Sequence, residues 1–121
     1  MIQLAGAYSK NILIVDDNFN LREILKNFLE SSGFQIATAR DAEEALRLLR
    51  KNFFALMLTN YTMPGITGAE LISLVKANYP YLKIWGMSSL DRKEEFYRAG
   101  ADFVLEKPFQ LSRLSALLET I

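Results

Sequence analysis

The sequence predicts a doubly wound α/β domain on a five-stranded parallel sheet, and three observations carry that prediction. Short apolar runs alternate with amphipathic segments along the chain. Gly, Pro and Asp punctuate the junctions where helices stop or start. Four of the five apolar runs end on, or run into, polar residues, as parallel strands do when they deliver side chains to one sheet edge.

Each element has its own local reason. Residues 11–15 are β-branched and apolar after Asn11 and end at Asp16 and Asp17, which suits a strand buried on both faces. Residues 19–32 carry Leu21, Ile24, Leu25 and Phe28 at helical spacing, and Gly33 stops the helix. Residues 34–39 read as a second strand. Asp41 then caps a helix whose apolar face is Ala42, Ala45, Leu46 and Leu49. Residues 54–59 form a third strand, followed by a loop over 60–68 containing Pro64 and Gly65. Residues 69–79 read as a helix closed by Pro80, and 82–88 as a fourth strand. A short helix over 92–99 ends at Gly100, and a fifth strand covers 101–105. Leu111, Leu114, Leu118 and Ile121 form the stripe of a last helix.

Composition narrows the chemistry. A chain of 121 residues supports one core. Residues 1–10 are expected to be a loosely held lead-in without the pattern of a signal peptide, and residues 11–121 the domain. With no Cys there is no disulfide or thiolate site, and with no His there is no imidazole base or ligand. Lys plus Arg equal Asp plus Glu at 14 each, so no overall field draws nucleic acid. No apolar run approaches the roughly 20 residues of a membrane span, and a cytoplasmic location is expected.

The strand ends hold the informative residues: Asp16-Asp17, Asn60, Ser88-Ser89 and Lys107-Pro108. Any one alone reads as a helix cap or a surface charge. Together, at one edge of a parallel sheet, two carboxylates, an amide, a hydroxyl and an ammonium suit Mg²⁺ plus an anion.

In this order and spacing the chain resembles the receiver domains of bacterial response regulators, which have a flavodoxin-like fold and act in two-component signal transduction and phosphorelay. The resemblance rests on Ile14-Val15-Asp16-Asp17, Met63-Pro64-Gly65 with Gly68, Ser88, Gly100-Ala101-Asp102 and Lys107-Pro108-Phe109. It implies that Asp16, Asp17 and the Thr62 carbonyl belong to the metal site. It also implies that Lys107 contacts the phosphoryl group and that Ser88 follows it in the switch. The phosphoacceptor carboxylate belongs three residues before the Met-Pro pair, where this chain has Asn60. An amide is no nucleophile for in-line attack on phosphorus, and its neutrality weakens the metal site, to which Asn60 can still offer its oxygen. No phosphotransfer chemistry of its own is therefore expected.

Two more departures accompany Asn60. The switch aromatic expected three residues before Lys107 is Val104, and the stretch from Ser88 to Gly100 is about one turn shorter than in the family, so the fourth helix is expected to be short or irregular. A natural pseudo-receiver accounts for all three departures. A phosphoreceiver carrying an engineered Asp-to-Asn change accounts only for the first. The expected role is a phosphorylation-independent module that binds a histidine kinase, a downstream regulator or a second copy. Phe96, Tyr97, Val104 and Leu117 mark its expected interaction face. Trp85 is expected to pack under a helix, with Gly86 making room.

Overall fold

A computed structural model describes residues 10–121. Five strands, β1 (Asn11–Val15), β2 (Gln35–Ala39), β3 (Leu56–Asn60), β4 (Lys83–Ser88) and β5 (Phe103–Glu106), alternate with five α-helices. The helices are α1 (Phe19–Ser31), α2 (Ala42–Lys51), α3 (Gly68–Asn78), α4 (Lys93–Ala99) and α5 (Leu111–Leu118). All neighbouring strands pair in parallel, in the order β2-β1-β3-β4-β5. The doubly wound prediction holds. The lead-in expected at residues 1–10 lies outside the described residues except for Lys10.

Strand alternation sorts the core into two layers. Leu13, Val15, Met57, Ile84 and Val104 face α2, α3 and α4, with Ala45, Ile72, Val75 and Phe96. Ile12, Ile14, Leu56, Leu58, Trp85 and Leu105 face α1 and α5, with Leu25, Leu29, Leu114 and Leu118. Trp85 is buried and meets Phe103 edge-on, with centroids 5.2 Å apart. Gly86 makes its room on the opposite face: a Cβ there would come within 2.7 Å of the Phe96 ring.

Several boundaries moved for local reasons. Phe34 serves the end of α1 instead of β2: its N–H bonds Leu29 and the Gly33 N–H bonds Glu30, both at 3.1 Å. Gly33 holds φ +99, which closes the helix in the left-handed region. β3 runs through Asn60, so that residue ends a strand and does not begin a loop. α3 starts at Gly68 behind a capping box in which Thr67 and Glu70 bond each other's backbone N–H. The short fourth helix is present as a 3₁₀ turn (Leu90–Arg92) followed by the seven residues of α4. Among the described residues no helix is long and apolar enough to cross a membrane.

Candidate functional site

The carboxyl ends of β1, β3, β4 and β5 converge as the sequence order requires. Asp16 follows β1 with its side chain 1% exposed. Its Oδ1 accepts the Asn18 N–H at 2.9 Å, while Oδ2 is buried and has no hydrogen-bond partner. Arg22, from the second turn of α1, holds the Asp16 main-chain oxygen at 2.7 Å. Burial pushes the Asp16 carboxyl above its ordinary pKa, against the lowering effects of the Asn18 N–H and of Lys107. Asp17 beside it is exposed.

Asn60 is held on both sides of its amide. Lys107 donates to Oδ1 at 2.7 Å, and Nδ2 donates to the Thr62 carbonyl at 2.9 Å. Lys107 also forms an ion pair with Asp16 Oδ2 at 3.8 Å, too long for a hydrogen bond. The Ser88 side chain is buried, and its hydroxyl donates to the Ser89 carbonyl at 2.7 Å. The peptide bond from Lys107 to Pro108 is cis. Behind Asn60 the packing admits only glycine at position 68, because a Cβ there would fall 1.9 Å from the Asn60 carbonyl oxygen. Gly68 donates its N–H to the Tyr61 carbonyl at 2.7 Å, so the loop closes on itself.

A hard divalent cation fits half of this arrangement. The buried Oδ2 of Asp16, which accepts no hydrogen bond, and the neighbouring Asp17 carboxylate are suitable donors. The Asn60 and Thr62 oxygens already accept hydrogen bonds. Among the described residues no group of three or more acidic, His or Cys side chains is placed to hold a metal.

The expected interaction face needs correction. Phe96 and Val104 are buried in the layer beneath α2, α3 and α4, at 0% and 3% exposure. Leu117 is partly buried against the other layer. Phe96, Tyr97 and Leu117 therefore do not cluster. Phe96 is drawn inward by the space left at Gly86, a helix-to-strand fit that helical spacing alone does not reveal. Tyr97 is exposed at 40%, and its hydroxyl accepts the Val104 N–H at 3.2 Å. The same region does hold an open groove of about 450 Å³, lined in part by Lys93, Phe103, Glu106, Gln110 and Arg113.

Sequence reading also missed Tyr61, Arg92 and Glu95. Tyr61 carries the Arg92 guanidinium 4.4 Å above its ring and donates its hydroxyl to Glu95 at 2.8 Å. Tyr61 lies more than thirty positions from Glu95, so no spacing signature links it to the Arg92–Glu95 pair. The tyrosine directly after a strand-end residue was the one available signal.

A parallel sheet in this order, with an acidic pair after the first strand and a lysine after the fifth, defines a receiver. The chain belongs to the response regulator receiver domain family, whose model matches residues 12–119. It acts as a receiver domain in two-component signal transduction, a signalling module of a family whose members interact with kinases and effectors and typically bind Mg²⁺. It is 35% identical over 116 residues to the chemotaxis protein CheY of Pseudomonas aeruginosa, covering 91% of this chain and 94% of that protein. It is 34% identical over 110 residues to the response regulator protein FleR of the same organism, covering 88% of this chain but 23% of FleR. It is 33% identical to the transcriptional regulatory protein PrrA of Mycobacterium tuberculosis, covering 96% of this chain and 51% of PrrA. The chain thus spans about half of PrrA and about a quarter of FleR. Among solved structures, Vibrio cholerae CheY4 superposes with a TM-score of 0.84 at 30% identity, covering 91% of this chain and 96% of that one.

Proposed function

We propose that this domain works in a two-component pathway as a phosphorylation-independent protein-interaction module, an atypical receiver with a weakened Mg²⁺ site. The observation that carries this reading is the double engagement of the Asn60 amide. Its oxygen is bound to Lys107 and its nitrogen to Thr62, so the residue at the acceptor position is neutral, non-nucleophilic and hydrogen-bonded on both sides. A carboxylate there cannot donate to the Thr62 carbonyl and would leave that oxygen free for a cation. The amide satisfies it instead, at the cost of metal affinity.

Val104 in β5 and the short fourth helix, a 3₁₀ turn and seven residues, support a natural origin. An isolated Asp-to-Asn change explains neither of them. The surface beside α4, β5 and α5 is the partner-binding face in this reading, with exposed Tyr97 and the groove near Lys93, Glu106 and Arg113. The partner is a histidine kinase, a downstream regulator or a second copy, and the setting is the cytoplasm.

The test compares the protein and its Asn60→Asp variant after incubation with Mg²⁺ and acetyl phosphate, by intact mass. The natural-pseudo-receiver reading expects no phosphoryl adduct on the protein and little or none on the variant. Stoichiometric modification of the variant favours an intact receiver blocked at one residue. Modification of the unaltered protein overturns both.

A further inference from the structure

The aromatic that would sense the strand-end site from β5 is absent, yet another stands one residue beyond Asn60. The Tyr61 ring meets Phe96 edge-on, with centroids 5.7 Å apart at 89°. The Arg92 guanidinium lies 4.4 Å over its ring, and its hydroxyl donates to Glu95 Oε2 at 2.8 Å. Arg92 is the N-cap of α4, and Glu95 and Phe96 belong to its first turns. One side chain thus grips the start of this helix by ring packing, a cation–π contact and a charge-assisted hydrogen bond. The grip matters because α4 has no side-chain N-cap bond of its own. Its start is placed by tertiary contacts.

The other end of the connection is the candidate site. Tyr61 shares a peptide unit with Asn60, and its carbonyl is fixed by the Gly68 N–H at 2.7 Å. Tyr61 and Arg92 line one hollow of about 430 Å³ together with Asn60, Thr62, Ser88 and Lys107. β5 reaches α4 by separate contacts, the Val104 N–H to the Tyr97 hydroxyl at 3.2 Å and Lys93 to Glu106 at 3.2 Å, and neither of them starts at Asn60.

We propose that Tyr61 is the positioning residue through which the Asn60 end of the sheet sets the place of α4, by a route that bypasses β5. This deepens the reading of the α4 surface as a partner-binding face and rests on it only for its biological consequence. The coupling itself is measurable with no partner present, so its failure is separable from failure of the partner-binding reading.

The experiment records NMR shifts and amide hydrogen exchange in α4 for the protein and for Tyr61→Phe and Tyr61→Leu, each with and without Asn60→Asp as the perturbation of the site. With Tyr61 in place, Asn60→Asp displaces the resonances of α4. Tyr61→Leu speeds exchange in α4 by about tenfold, leaves the amides of β1 and β3 within about twofold, and silences the response of α4 to Asn60→Asp. Tyr61→Phe keeps both ring contacts, loses the Glu95 bond and retains part of the response. Arg92→Gln and Glu95→Gln leave the ring in place and test the same route if Tyr61→Leu does not fold; each should reduce the response. An α4 response of equal size in all backgrounds overturns the proposal. So does a loss of protection spread evenly over every element, which would mark Tyr61 as ordinary packing.

Discussion

The Lys107 ammonium lies 2.7 Å from the amide oxygen of Asn60 and 3.8 Å from the buried carboxylate of Asp16. The strand-end cation is held more closely by a neutral group than by a charged one. Asn60 therefore takes part in the electrostatic balance of the site and does more than leave out a nucleophile.

A first prediction concerns that balance. Asn60→Asp adds a charge near Asp16 and Asp17 and removes the donor to Thr62. Lys107 offsets part of this, and the net cost in chelator is expected to be about 1–2 kcal/mol, the scale of one lost hydrogen bond plus partly screened repulsion. Added Mg²⁺ should reverse the loss in the variant and change the unaltered protein little. Urea unfolding with and without metal reads both, and an equal metal effect on the two proteins contradicts the weakened-site reading.

A second prediction follows from Asp16, whose folded-state pKa is raised, mainly by burial. The folded protein then keeps this proton to higher pH than the unfolded chain does. This group's contribution therefore falls as pH rises from the ordinary carboxylate value near 3.8 through the raised one. Asp16→Asn should flatten that descent and raise the metal-free melting temperature at pH 7 more than at pH 4. A variant that is less stable at pH 7 would show that the pairing with Lys107 outweighs burial.

The third prediction tests the seat of Phe96. A methyl at position 86 would meet its ring at 2.7 Å, so Gly86→Ala should cost about 1–3 kcal/mol through overpacking. Phe96→Leu costs stability alone, but combined with Gly86→Ala it should cost less than the sum of the two. Additive losses in a denaturation double-mutant cycle would mean that the ring moves aside freely. Since Phe96 is 0% exposed, a charge placed there unfolds the domain and does not probe a surface.

A fourth prediction concerns Tyr97, whose hydroxyl accepts the Val104 N–H at 3.2 Å. Tyr97→Phe should cost about 0.5–1.5 kcal/mol and raise the exchange rate of the Val104 amide in particular. An unchanged rate for that amide would show that the bond does not protect β5.

The fold was legible because each helix and strand carries its own periodic pattern, and the strand-end residues could be aligned by counting elements. Asp16, Asn60, Ser88 and Lys107 were placed at one edge for that reason. The partners of each were less legible. Whether Phe96 faces solvent depends on a missing side chain at Gly86 in another element, and periodicity in a seven-residue helix is too short to show it. The contact of Tyr61 with Arg92 and Glu95 joins a strand end to a helix start, and only folded geometry brings them together.

The clasp between Gly68 and Tyr61 has a consequence for engineering. With the Gly68 N–H tied to Tyr61 and no space for a Cβ, the two ends of the loop are fixed independently of its tip. At that tip Gly65 is exposed, with φ +86 and open space where a Cβ would project. Doubling such a loop costs only about 0.6 kcal/mol in closure entropy. The position after Gly65 is therefore a natural port for a peptide tag or fluorophore, from which the strand-end site can be watched.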